Sequence, residues 1–153
     1  MLPEIEIVNA SSDCVITSSR IFNVPVEKMF RAWTEPEHLS KWWGPKGFTN
    51  TFHEFDLQPK GFWRFTMHGP DGGNYKNECQ YITITKPEKL VWNHISAPQF
   101  QIAVNFESVG SATKVVFRMI FNTPEECQKV KPIAVGANEE NFDKLAAELE
   151  KMQ

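Results

Sequence analysis

Between residues 48 and 121 the apolar side chains tend to recur at every second position, and the breaks between runs are only a few residues long. No other feature constrains the fold as strongly. Strands are expected near 48–57, 61–68, 74–85, 89–96, 100–108 and 112–121. The breaks have turn chemistry: Pro59-Lys60-Gly61 and Gly69-Pro70-Asp71-Gly72-Gly73 supply fixed or positive φ angles, while Lys86-Pro87-Glu88-Lys89 and Val109-Gly110-Ser111 are of hairpin length. Parallel neighbours need a crossover of about a dozen residues, so six strands joined this way form an antiparallel meander. Phe100, Ile102, Val104 and Phe106 share one face, as do Val115, Phe117, Met119 and Phe121, and Trp63, Phe65 and Met67. A sheet with one such face must have it covered.

The flanks supply the cover. Residues 15–22 read as a strand by their β-branched content. Val26, Met29, Phe30 and Trp33 then form one helical stripe after Pro25. A second short helix comes next, with Thr34 as its expected cap and with Leu39, Trp42 and Trp43 on one side. Gly44-Pro45 stops it. At the other end, Phe142, Leu145, Leu149 and Met152 recur at 3, 4 and 3 residues, with Asn138 as an expected cap and Glu140–Lys144 as an i,i+4 pair. Thr123 and Glu126 have capping-box spacing, and Pro132 is expected to interrupt or kink the helix they start, leaving one bent helix or two open. The expectation is therefore an α+β chain. Residues 1–14 form a flexible N-terminal segment, and 15–153 form a single domain with one curved sheet around a terminal helix.

Composition narrows the functions. The net charge of −3 is the wrong sign for a duplex-binding surface, so no nucleic-acid partner is expected. No apolar run is long enough to cross a membrane, and MLPEIEIV lacks the basic head and apolar stretch of a signal peptide. Cys14, Cys79 and Cys127 have neither disulfide-framework nor zinc spacing, and a reducing, cytoplasmic setting is expected. His38, His53, His68 and His94 form no metal-ligand spacing, so neither metal nor other cofactor is expected. The 12 Phe, 5 Trp and 2 Tyr are the unusual numbers, enough rings to fill a core or to line a pocket.

Several strings resemble one family. They are Arg20-Ile21-Phe22-Asn23-Val24-Pro25-Val26, Ala32-Trp33-Thr34-Glu35-Pro36-Glu37-His38-Leu39, Lys41-Trp42-Trp43-Gly44-Pro45, Phe55-Asp56-Leu57-Gln58-Pro59-Lys60-Gly61, Met67-His68-Gly69-Pro70-Asp71-Gly72 and Pro87-Glu88-Lys89-Leu90-Val91-Trp92. Over roughly residues 15–152 the chain resembles the helix-grip (SRPBCC, START-like, Bet v 1-like) superfamily, in the branch named for the activator of the 90-kDa heat-shock chaperone's ATPase. The resemblance implies a seven-stranded sheet gripping a long C-terminal helix, with a cavity between them. It also implies roles that range over lipid and hormone binding, aromatic cyclisation and chaperone regulation. The chain departs from the pattern at Asn138-Glu139-Glu140-Asn141-Phe142, where many relatives carry a Gly-Trp pair, which implies a different helix wall. It also lacks the tryptophan- and asparagine-rich N-terminal string of the eukaryotic activators.

Three functions are expected in turn. The first is binding of a small hydrophobic or aromatic molecule between sheet and helix. Its candidate residues are Trp42, Trp63, Phe65, Met67, Trp92, Phe117, Met119, Phe142 and Leu145, with His94 and Tyr81 as polar handles. Which face of its strand holds His94, and which holds Tyr81, stays open at this point. The second is an interaction module that regulates a chaperone ATPase. The third is a cyclase- or hydratase-like enzyme, for which His94 or His53 is the candidate acid/base. No catalytic motif accompanies these histidines, and the chain reads as a binding protein, a monomer or a homodimer. Glu54 and Asp56 are expected to share one outer strand face, a spacing also open to paired-carboxylate chemistry.

Overall fold

The computed structural model describes residues 12–152. Seven strands form one antiparallel sheet: β1 (Val15–Phe22), β2 (Thr49–Phe55), β3 (Phe62–His68), β4 (Asn74–Thr85), β5 (Lys89–His94), β6 (Phe100–Val109) and β7 (Ala112–Ile120). Their spatial order is β1-β7-β6-β5-β4-β3-β2, so the expected meander runs unbroken from β2 to β7 and β1 adds itself to the far edge. The link from β1 to the opposite edge holds α1 (Val26–Thr34) and α2 (Pro36–Trp42). The fold is α+β: a curved seven-stranded antiparallel sheet, two short helices after its first strand, and a long C-terminal helix.

That helix, α3 (Pro124–Lys151), is continuous over 28 residues. Thr123 caps it, its side-chain oxygen accepting from the Glu126 amide at 3.2 Å. The helix continues through Pro132 rather than ending there. Pro132 and Gln128 are both exposed, so water can serve the carbonyl that proline leaves without a helical partner. Asn138 is consequently no cap: it lies mid-helix and buried. Thr34 is no cap either. It is the last residue of α1, and its hydroxyl donates to the Phe30 carbonyl at 2.7 Å. Of the expected N-terminal segment, residues 1–11 lie outside the described residues. Ser12–Cys14 form a 3-10 turn, and the Cys14 carbonyl accepts from the Phe121 amide.

One deviation in β2 shapes the interior. Its register against β3 slips between Phe52 and Glu54, a β-bulge. The slip lets Phe52 and Phe55, three residues apart, both pack on Trp63 and turns His53 and Glu54 together to the outside. Of the expected pair Glu54 and Asp56, Asp56 lies just past the end of β2, and the two carboxylates have different partners. Glu54 joins Glu78 in holding Arg64, and the Asp56 carboxylate accepts from the Gln58 amide.

The covered face divides in two. On one side lies a continuous ring cluster, centred on Trp33. Trp42 meets Trp33 edge-on at 4.6 Å, Trp43 bridges Trp33 to Trp63, and Trp63 stacks on Phe65 at 4.4 Å and on Tyr81. Phe142, Leu145, Leu149 and Met152 of the terminal stripe are all buried in the same core. Side chains of this size, fully removed from water, are worth roughly 1.5–3 kcal/mol each before ordering costs. On the other side, towards the end of the sheet where β5 meets β6, the packing opens.

Candidate functional site

The opening is a space of about 230 Å³ between the sheet and the middle of α3. Register explains its floor, because the lining residues are cross-strand neighbours on one face. Phe65 sits opposite Asn77, Cys79 opposite His94, His94 opposite Phe100, Trp92 opposite Ile102, and Ile102 opposite Met119. With Met67 and Phe117 they form a band across β3 to β7. The helix closes the other side with Ala137, Asn138 and Asn141. The loop after α2 completes the wall through Trp43, Gly44 and Pro45. Pro45, Met67, Asn77 and Ala137 are only half-buried, and they mark the mouth.

Of the sequence candidates, the structure brings Phe65, Met67, Trp92, His94, Phe117 and Met119 onto this wall. Trp42, Trp63, Tyr81, Phe142 and Leu145 are instead absorbed into packed core. The reasons are local. Adjacent tryptophans at a helix end diverge, and it is Trp43 that reaches the space; Trp42 is fully buried and donates its indole N–H to the Ala32 carbonyl at 2.9 Å. Tyr81 and Trp63 point the right way from their strands but sit two residues further along than Cys79 and Phe65, stacked on each other and against Trp92. Sequence reasoning put one tryptophan of the Trp42–Trp43 pair at the mouth and named Trp42 where the structure has Trp43, and it missed Asn77, Cys79, Phe100, Ile102, Asn138 and Asn141 as lining residues. The signal for the two helix asparagines was present: they lie one turn apart within the stretch that departs from the Gly-Trp pattern.

The mouth loop is tied to α3. The Asn141 side-chain oxygen accepts from the Gly44 amide at 3.0 Å, and Glu140 accepts from the Lys46 amide at 3.2 Å. Lys144 donates to the carbonyls of Gly44, Pro45 and Phe48 at 3.2, 3.3 and 2.9 Å. Partial burial lowers the Lys144 pKa, and the Glu140 carboxylate opposes that shift. Glu140 and Lys144 thus work as a clasp on the loop rather than as the simple surface pair their spacing suggests. Gly44 itself has φ of 102°, which favours glycine, while the Met67 methyl, 2.6 Å from where a Cβ would sit, could swing aside.

His94 is the only titratable side chain on the wall besides Cys79. Its ring stacks on Phe100 at 4.6 Å. Nδ1 donates to the Pro98 carbonyl at 2.9 Å, and Nε2 lies 2.8 Å from the Asn77 side-chain amide. Burial depresses its pKa, against the opposing pull of the Pro98 and Ser96 backbone contacts. Burial also pushes the Cys79 thiol far up. Cysteine, histidine and asparagine are the residue types of a thiol nucleophile and its base, and here they adjoin. They are not arranged for it, because both imidazole nitrogens are engaged elsewhere and the thiol stays protonated. His53, the other acid/base candidate, lies on the outer face with Nε2 2.7 Å from the Thr66 hydroxyl.

A different cluster, Glu35, Glu37 and His38, brings potential ligand atoms within 4.8 Å of one another. Two of its three members are already engaged: His38 Nδ1 donates to the buried Glu148 carboxylate at 2.8 Å, and Arg31 donates to Glu35 at 3.1 Å. The His38–Glu148 hydrogen bond links α2 to α3. Among the described residues, no helix is long and apolar enough to cross a membrane.

The family model described as "Activator of Hsp90 ATPase homolog 1-like protein" matches residues 23–150. The chain belongs to that family. Solved structures agree on the fold. A crystal structure of a Nitrosomonas europaea protein superposes with a TM-score of 0.85 at 22% identity, covering 92% of this chain and 97% of that one. A solution structure from Arthrobacter aurescens gives 0.84 at 20% identity, over 96% and 94%. A Mycobacterium smegmatis crystal structure gives 0.81 at 22%, over 92% and 94%. No curated protein sequence matches the chain significantly.

Proposed function

We propose that this family member is a receptor for a small, ring-bearing hydrophobic molecule held between the sheet and α3. The observation that carries the reading is a hollow of about 230 Å³ in one interior, walled by rings and bordered by His94, Asn77, Asn138 and Asn141, beside a buried ring cluster. Apolar walls give affinity, and a few fixed polar groups give orientation. The volume sets a scale: a dry cavity of about 150 Å³ takes benzene, and drug-sized ligands need roughly 300–1,000 Å³. A guest of one ring, or two at most, fits; a sterol does not.

Calorimetric titration with a panel of one- and two-ring aromatics tests this, beside an Ala137→Trp variant that fills the mouth. Binding by the native chain and its loss in the variant, at unchanged melting temperature, is the expected result. Failure of every panel member to bind the native chain would refute the receptor reading. A second reading, regulation of a chaperone ATPase, is supported by the family description. It predicts that the chain changes ATP turnover by the 90-kDa heat-shock chaperone, and unchanged turnover with no co-sedimentation would dismiss it.

A further inference from the structure

The polar groups of the hollow narrow its guest. Besides two indoles, four side chains on its wall carry nitrogen or oxygen: Asn77, His94, Asn138 and Asn141. The first two are spent. Both His94 nitrogens are engaged, one of them with Asn77, and the Asn77 nitrogen donates to the Tyr75 carbonyl at 3.0 Å. The two helix asparagines are each half used. The Asn141 oxygen accepts from the Gly44 amide at 3.0 Å, and its nitrogen has no partner among the described residues. The Asn138 nitrogen makes two long contacts, 3.3 Å to the Ser18 hydroxyl and 3.6 Å to the Met119 sulfur, and its oxygen has no partner among them. The sulfur accepts and cannot donate, so it fixes which end of the Asn138 amide turns to the sheet.

Burial assigns the free ends to the hollow. Asn138 and Asn141 are only 9% and 8% exposed, and each is anchored on another wall residue, Met119 or Gly44. The Asn138 oxygen and the Asn141 nitrogen nonetheless keep accessible surface, unlike the sealed indole nitrogens of Trp33, Trp63 and Trp92. For side chains set this deep on the inward side of α3, the open space they border is the hollow. Residues three apart are neighbours on one helix face, with about 5–6 Å between their Cβ atoms. An acceptor and a donor therefore stand side by side along the helix wall.

Charge sets the second constraint. No lysine, arginine, aspartate or glutamate borders the hollow. Lys144 spends its donors on the Gly44, Pro45 and Phe48 carbonyls at the mouth. A carboxylate entering this space would lose its hydration without a counter-charge, at a cost far above that for a neutral group.

We infer that the guest is an uncharged aromatic carboxamide or lactam of one or two rings, its carbonyl accepting from the Asn141 side chain and its N–H donating to the Asn138 oxygen, and that carboxylates are excluded. The inference rests on the receptor reading and specifies which ligands that receptor takes. An amide edge matches the wall because it offers one acceptor and one donor side by side and carries no charge.

Four probes of nearly the same shape separate the constraints: benzamide, acetophenone (acceptor only), 2-phenylpropene (neither donor nor acceptor) and benzoate (charged). Each is titrated at pH 7.5 into the native chain and into Asn138→Leu. The variant should weaken benzamide about fivefold more than acetophenone, the share of one net hydrogen bond, because acetophenone has no N–H to lose. Benzoate should bind the native chain at least tenfold more weakly than benzamide. Nuclear magnetic resonance of the native chain supplies a readout independent of the variant's folding: the Asn141 side-chain amide protons should move downfield with benzamide and acetophenone and not with 2-phenylpropene. Equal losses for benzamide and acetophenone in Asn138→Leu, Asn141 protons unmoved by either carbonyl probe, or benzoate binding as tightly as benzamide would each overturn the inference while leaving the receptor reading intact. Binding by none of the four at millimolar concentration would overturn both.

Discussion

Two halves of one interior, built from the same sheet and the same helix, have been filled differently. Around Trp33, tryptophan and phenylalanine rings meet edge-to-face and stacked. Further along the same strands, α3 presents Ala137, Asn138 and Asn141 where it presents Phe142, Leu145 and Leu149 further on, and the wall stands off the sheet. The difference is a choice of helix side chains: two amides and a methyl cannot fill what a phenylalanine and two leucines fill. A helix gripped by a curved sheet can therefore be a solid core and a receptor at once.

The largest test of that contrast is in the solid half. Trp33→Ala should lower unfolding free energy by about 3–5 kcal/mol in urea titration, because the surrounding rings cannot collapse onto the space. In the hollow half, Asn138→Leu removes two long contacts, 3.3 Å to Ser18 and 3.6 Å to the Met119 sulfur, and adds apolar surface, and it should change stability by less than about 1 kcal/mol while weakening polar guests. Equal costs in the two halves would erase the distinction.

The clasp gives an intermediate effect. Lys144→Met leaves three mouth carbonyls without their donor and should cost about 1–3 kcal/mol. Amide exchange should quicken at 44–48 and stay slow in β5 and β6; uniform quickening would mean the loop is not a separate, tethered unit. The smallest effect is in pH dependence. His94 has a folded-state pKa below its ordinary 6.5, so the unfolded chain takes up the proton first. Its stabilising contribution is complete above pH 6.5 and is lost as pH falls through the folded value, by at most about 1.4 kcal/mol per pH unit. A His94→Gln variant should show a flatter stability profile below pH 6.5 than the native chain.

The sheet was legible because period-two runs and hairpin-length breaks leave one topology for β2 to β7. The helix stripe at Phe142, Leu145 and Leu149 was equally plain. Three things were not. Pro132 and Asn138 looked like boundaries because local propensity suggests breaks and caps, whereas burial of α3 along the sheet overrides both. The bulge at Phe52–Glu54 has no local signature, and it leaves the neighbours His53 and Glu54 both exposed. For the site, alternation identified which strand residues face inward, yet it could not say how far along the sheet the packing stops. Phe65, Trp92 and Phe117 were therefore found together with Trp63 and Tyr81, which face inward but lie in the packed ring cluster beside the hollow. Trp42 ends α2 and Trp43 is its extended cap, a change of backbone that a stripe of i, i+3, i+4 does not resolve.

The account turns on a guest entering one half and not the other. Crystals soaked in 4-bromoacetophenone and measured at the bromine absorption edge test that directly. The prediction is an anomalous peak within the space bounded by Phe65, Trp92, Phe117 and Asn141, with none among Trp33, Trp42 and Trp63. A fully soaked crystal with no peak in that space, or with the bromine among the packed tryptophans, would contradict it.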